Sequence, residues 1–269
     1  MKTNHQFKQL KDKSFTIELT LGADDIKKEY QHVLGEIQGN FEKKGFRKGK
    51  APLDVVEQNI SPQAVIEEVL NHLLPKAYKQ VVEEHKLKPV TEPTIKIKTE
   101  KLSLDTDWAL ELESAELPDV KIDPIFFAEV KKLNKDSKIE KKTKMDLIIT
   151  LFSKYTKVEL PAVLLNNDVN RRLSDLVEQS QSANLTVEQY LKNKNITLPQ
   201  YREEQEKQVK NDWALNLGIN QIAIDQKITV QKAEIEDIFF KSPELKNDPN
   251  LVYFLLTQQK VLDYLQSIS

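Results

Sequence analysis

Between Ser14 and Leu21 hydrophobic and polar residues alternate, with Phe15, Ile17, Leu19 and Leu21 on one side and Ser14, Thr16, Glu18 and Thr20 on the other. A period of two predicts a strand with one buried face. From Ala23 the period changes. Ile26, Tyr30, Val33, Leu34, Ile37 and Phe41 fall on one helical stripe, opposite Lys27, Lys28, Glu29 and Glu36. That helix is expected to stop at Gly45. Residues 52–58 predict a short helix, and Ser61-Pro62 opens a long one with a capping serine and a proline at its first position. Its apolar positions are Ile66, Val69, Leu70, Leu73, Ala77 and Val81, and Pro75 inside it predicts a kink or break near Leu74. Strands are expected at residues 94–98 and 107–115; in the second, Trp108, Leu110 and Leu112 alternate with Ala109, Glu111 and Glu113. The order strand, helices, strands makes residues 1–116 an α+β unit.

A change of character follows. Residues 117–144 are expected to be an arm and linker, extended over 120–130 and strongly charged over 131–144. Charge runs usually face solvent, so a linker or helix start is the plain reading of 131–144, with a nucleic-acid contact as its alternative. Residues 145–269 read as an all-helical unit. Helices are expected at 145–155, from Pro161 to about 179, at 186–193 with Thr186 as cap, from Leu198-Pro199 towards Asp225, at 232–240, and from Asp248-Pro249 onward. Their many polar faces suggest an open helical array, giving an elongated multi-domain protein.

Between the first two helices lies Gly45-Phe46-Arg47-Lys48-Gly49-Lys50-Ala51-Pro52. Glycines at 45 and 49 admit backbone angles other residues resist. Arg47, Lys48 and Lys50 put three positive charges beside Phe46, and Pro52 suits the start of the next helix. An aromatic on a cationic, glycine-flanked loop is hard to account for as core. It reads as a docking finger.

Composition limits the chemistry. Lys+Arg number 40 and Asp+Glu 42, a formal net charge of -2, so any anion-binding role is local. The absence of cysteine excludes disulfides, thiol catalysis and the common zinc sites. The four histidines, His5, His32, His72 and His85, include no pair at i, i+4, so no metal site and no cofactor is expected. His32 and His72 read as surface or boundary residues. Residues 45–50 spell G-x-x-x-G-K, but the Walker pattern needs one more residue, a Ser/Thr at 51 and a preceding strand. No nucleophile elbow, dinucleotide fingerprint or HExxH motif occurs, and no catalytic residue is assigned. The first residues lack a signal-peptide run and no segment reaches the ~20 apolar residues of a membrane span, so a cytoplasmic protein without membrane contact is expected. Trp108 is expected in a core; for Trp213, core and exposed binding surface both stay open.

The octapeptide resembles the ribosome-binding loop of bacterial trigger factor, a ribosome-associated chaperone family. Residues 14–86 and the strands ending in Glu111-Leu-Glu-Ser-Ala-Glu-Leu-Pro-Asp-Val120 look like that family's N-terminal domain, and Val158-Glu-Leu-Pro-Ala-Val-Leu-Leu165 with Asp168 and Arg171-Arg172 looks like its helical C-terminal domain. The family usually carries an inserted FKBP-type prolyl isomerase domain of about one hundred residues. Only the charged stretch stands in that place here, so isomerase activity is not expected.

The resemblance implies an ATP-independent chaperone. Gly45, Phe46, Arg47, Lys48, Gly49, Lys50 and Pro52 would dock on the large ribosomal subunit, against a protein of the exit-tunnel rim and adjacent rRNA. The helical unit would shield nascent or unfolded polypeptides. Trp213, Leu251, Phe254 and Leu255 are candidates for that client surface, with interhelical core as the competing role. The resemblance leaves room for a homodimer when free of the ribosome. Two other readings are a holdase that never touches the ribosome and an RNA-binding module using residues 43–50 and 131–144.

Overall fold

The computed structural model describes residues 4–268. They form two compact units, divided between Leu117 and Pro118. The first is built on a four-stranded antiparallel sheet of β1 (Asn4–Gln9), β2 (Ser14–Leu21), β3 (Thr94–Ile97) and β4 (Trp108–Ala115), in the order β1-β2-β4-β3. The alternation in β2 has its expected effect: Phe15, Ile17, Leu19 and Leu21 are all buried. Register pairs Ile17 with Leu112, Leu19 with Leu110 and Leu21 with Trp108, so one face of the two central strands is continuous hydrocarbon. Trp108 is fully buried and satisfies its indole N–H by donating to the Ser103 carbonyl at 2.8 Å. On the same sheet Lys96 and Lys98 pair with Glu111 at 3.2 and 2.8 Å. β1, which the alternation analysis did not anticipate, pairs with β2 through a turn at Lys13, whose φ is 70°.

Helices α1 (Ala23–Asn40) and α3 (Pro62–Glu84) cover that hydrocarbon face, with the five-residue α2 (Leu53–Glu57) between them in sequence. Ile26, Tyr30, Val33 and Leu34 from α1 meet Val65, Val69, Leu73, Ala77 and Val81 from α3 in one core. The first backbone N–H of α1 is capped from a distance by the carboxylate of Asp107, at 2.8 Å. Two expectations are corrected in α3. It runs unbroken through Pro75, because Pro75 and Asn71 are both exposed and the carbonyl that Pro75 leaves without a donor lies on the wet side. Ser61 occupies the cap position with extended backbone, but its side chain makes no capping hydrogen bond.

The second unit is mostly helical, with one addition: a two-stranded antiparallel ribbon of β5 (Val120–Ile122) and β6 (Thr156–Val158). Its helices are α4 (Ile125–Lys135), α5 (Lys141–Tyr155), α6 (Ala162–Ser182), α7 (Val187–Asn193), α8 (Leu198–Asp225), α9 (Lys232–Lys241) and α10 (Pro249–Ser267). Phe126 and Val130 of α4, Ile148 and Phe152 of α5, Ile219 and Ile222 of α8, and Val261, Leu262 and Leu265 of α10 form its core. Gly218 lets α8 pack close: a Cβ there would lie 2.6 Å from the Phe152 ring.

The expected extended arm is therefore wrong beyond Ile122. Phe126, Val130 and Leu133 repeat at helical spacing, and Asp123 caps the start by accepting from the Ile125 N–H at 2.9 Å. Nor is 131–144 an open linker. Its first part completes α4 and its last part begins α5, and Lys144 Nζ closes the hairpin by donating to the Asn134 carbonyl at 2.8 Å. The Asn134 amide in turn donates to the carbonyls of Leu265 and Ile268, tying α4 to the end of α10.

Candidate binding loop and apolar groove

α1 ends at Asn40, earlier than the apolar stripe suggested. Gly39 and Asn40 are weak helix formers, and Phe41 turns to extended backbone (φ -73°, ψ 131°). The loop is therefore residues 41–52. It is built from two successive tight turns, with the Phe46 N–H donating to the Lys43 carbonyl and the Lys50 N–H to the Arg47 carbonyl. Gly45 (φ 98°) and Gly49 (φ 71°) adopt the left-handed backbone these turns require.

Two hydrogen bonds hold the loop base. The Gly49 N–H donates to the Phe41 carbonyl at 3.1 Å, and the Gln38 side-chain amide donates to the Ala51 carbonyl at 2.6 Å. Ala51 itself is buried. At the end of the loop, Pro52 takes the cap position of α2 rather than its first helical position. The Tyr30 hydroxyl donates to Glu57 Oε1 at 2.9 Å, joining the far end of α2 to α1.

On this base the tip is presented outward. Phe46 is 42% exposed, and Arg47, Lys48 and Lys50 are all exposed. Lys43 and Lys44, also exposed, extend the cationic surface; the sequence placed them with the loop only in the RNA-module alternative, because the helix was expected to run through them. Glu42 offsets part of it by pairing with Lys48 at 3.1 Å. The tip thus offers a planar guanidinium for bidentate contact with carboxylate or phosphate, several mobile ammonium groups, and an apolar ring.

The second unit holds an apolar groove of about 890 Å³ where α6, α7 and the start of α8 meet, lined by residues including Leu173, Leu176, Val177, Leu191, Ile196 and Leu198. Val177 and Leu198 are exposed on it. Capping boxes at Thr186 with Gln189 and at Thr197 with Gln200 fix the turns on either side of α7. None of the four residues expected to bind clients lines this groove. Leu251, Phe254 and Leu255 are exposed on α10, so they are not interhelical core. Trp213 is half-buried on α8, its indole N–H donating to Asp168 of α6 at 2.7 Å. The groove went unread because its apolar residues belong to three helices, each with an ordinary stripe of its own.

The histidines show the same effect of tertiary structure. Glu29, His32 and His72 come together from α1 and α3, and His5, Glu84 and His85 from β1 and the end of α3. No helix among the described residues is long and apolar enough to cross a membrane.

A glycine-turned cationic loop on an α+β unit, followed by a helical unit with an apolar groove, makes up a two-unit scaffold with one candidate binding surface on each unit. Residues 3–146 match the family described as bacterial trigger factor protein (TF), and residues 129–268 match the bacterial trigger factor protein (TF) C-terminus. The chain belongs to the bacterial trigger factor family. The two matched segments overlap, so no insert separates them.

Among curated relatives, a trigger factor of Streptococcus mutans is 32% identical over 106 residues, 39% of this chain and 24% of that protein. One from Kineococcus radiotolerans is 39% identical over 83 residues, 31% of this chain and 17% of that protein. The matched stretch spans a quarter or less of these relatives. A solved structure described as "Promiscuous Substrate Recognition in Folding and Assembly Activities of the Trigger Factor Chaperone" covers 98% of this chain and 100% of its own, with a TM-score of 0.62 at 14% identity. That likeness is one of fold.

Proposed function

We propose that this chain is an ATP-independent chaperone that docks at the exit tunnel of the large ribosomal subunit through residues 45–52 and shields nascent polypeptides. The observation that carries the reading is the outward presentation of Phe46, Arg47, Lys48 and Lys50 on a loop whose base is pinned to α1. Arg47 engages a carboxylate of a rim protein or an rRNA phosphate, the lysines add screened attraction, and Phe46 supplies buried area. Membership of the family supports the chaperone role. The α6–α8 groove is a surface on which unfolded apolar segments bind weakly and leave without ATP. In this reading prolyl isomerisation forms no part of the activity; the overlap of the two family segments and the direct junction of α4 and α5 by residues 136–140 support it.

Co-sedimentation with ribosomes at low and high salt tests the docking. Phe46→Ala combined with Arg47→Ala is expected to abolish it without altering the circular dichroism spectrum, and added salt is expected to weaken the wild type. A folded double variant that still co-sediments would sink the docking role. Binding of free RNA equal to that of ribosomes would favour the RNA-module reading instead. The structure gives that reading little support, since 131–144 is folded into a helical hairpin rather than spread as a basic strip.

A further inference from the structure

We propose that Glu29, His32 and His72 form a binding site for a divalent late first-row transition metal ion, such as zinc, that bridges α1 and α3. The chain has only four histidines, and two of them, 40 positions apart in sequence, bring their ring centroids within 6.1 Å. Glu29 Oε1 lies between them, 2.8 Å from His72 Nδ1 and 3.5 Å from His32 Nδ1. One ligand atom from each of the three residues lies within 4.8 Å of the others. Metal–ligand bonds of about 2.0–2.2 Å in a tetrahedral shell place neighbouring ligand atoms about 3.3–3.6 Å apart, so modest side-chain rotation seats an ion among these groups.

The surroundings suit a cation. Glu36 Oε1 lies 3.8 Å from His32 Nε2 and Glu36 Oε2 3.9 Å from His72 Nε2, while Glu68 Oε1 lies 3.4 Å from His72 Nε2. Three carboxylates thus surround two imidazoles. Lys76 is the opposing charge, 3.6 Å from Glu29, but its side chain is exposed and free to swing outward. The spacing is that of two facing helical stripes: Glu29, His32 and Glu36 on α1, Glu68 and His72 on α3. Both helices are anchored by neighbouring core residues, Ile26, Tyr30 and Val33 on one and Val65, Val69 and Leu73 on the other. The ligands are thereby carried on rigid elements. Imidazole with carboxylate favours zinc, nickel or copper over magnesium or calcium, and no thiolate competes in a chain without cysteine. Bound metal would clamp α1, the helix that leads into the loop, to α3.

The second histidine cluster is the natural control. There His5 and His85 face each other at 3.1 Å, and the His85 ring is stacked on Phe7. The untagged full chain would be titrated with zinc by calorimetry, with magnesium as comparison, and its thermal unfolding followed with and without zinc. The expected result is zinc binding and a raised Tm, with no response to magnesium. His32→Ala with His72→Ala should weaken zinc binding by about tenfold or more and erase the Tm shift. His5→Ala with His85→Ala should leave both unchanged. His32→Ala alone, at an exposed helical position that alanine suits, serves if the double variant does not fold. No zinc binding by the wild type, undiminished binding by the His32 variants, or loss of binding in the His5/His85 variant would each overturn the site.

Discussion

Gly49 packs directly against the carbonyl of Gly39: a Cβ at position 49 would lie 2.9 Å from that oxygen. The loop therefore folds back onto the last turn of α1, and only a residue without a side chain lets it do so at this distance.

Gly49→Ala is accordingly expected to distort the loop. The left-handed backbone at φ 71° costs a residue with a Cβ about 1–2 kcal/mol, and the clash is with backbone, which cannot swing aside. Gly39→Ala has open space at its own Cβ and should cost nothing or stabilise the helix slightly. Urea denaturation of both variants checks this. Equal stabilities would show that the Gly49–Gly39 contact does not constrain the loop. Weakened ribosome co-sedimentation by Gly49→Ala alone would connect the contact to docking.

The Tyr30–Glu57 contact ties the joining of α1 and α2 to pH. Burial, together with its hydrogen bond to Glu57 and that carboxylate's charge, pushes the phenol up to about 12. The folded value exceeds the unfolded one, so the stabilisation is fully present below about pH 10 and is lost as pH rises towards 12. The Tyr30→Phe variant should lose about 1–2 kcal/mol at neutral pH and show a shallower decline in stability between pH 10 and 12. Denaturation curves across that range measure both effects. A wild type and variant that decline in parallel would show that Tyr30 does not carry the alkaline sensitivity.

The groove of the second unit can be set against α10 as the client surface. Val177 and Leu198 are exposed, so Val177→Asp with Leu198→Asp should leave the fold intact while placing two charges in the groove. Suppression of aggregation of a chemically denatured client should fall several-fold. Leu251→Asp with Phe254→Asp, on the exposed side of α10, should reduce it less. The reverse order of effects would assign clients to α10.

Much of the fold is legible in local pattern. The alternation in β2 and β4 repeats over several pleats and its apolar side is buried, while the stripes of α1 and α3 bury Ile26, Tyr30, Val33, Leu34, Val69, Leu73, Ala77 and Val81 and leave Ile37, Phe41, Ile66 and Leu70 half-buried. Caps at Thr186 and Asp248 were equally visible, since an N-cap is a contact across three residues. The errors fall where local signals conflict. Phe41 prolonged a stripe that Gly39-Asn40 had already ended, and charges at Lys131 and Lys132 masked the helical spacing of Phe126, Val130 and Leu133.

Taken alone, the sequence determined most of the elements outside β1 and residues 120–144, the division between an α+β part and a helical part, and the octapeptide's character as an exposed cationic and aromatic turn. Periodicity and turn chemistry are short-range properties, set by neighbours a few residues apart. Tertiary structure decided the rest: that Gln38 and Gly39 brace the loop, that three helices share one apolar groove, and that His32 meets His72 across α1 and α3. Such relationships join residues far apart in the chain. They are fixed by which hydrophobic faces bury against each other, and no spacing along a single helix records that choice.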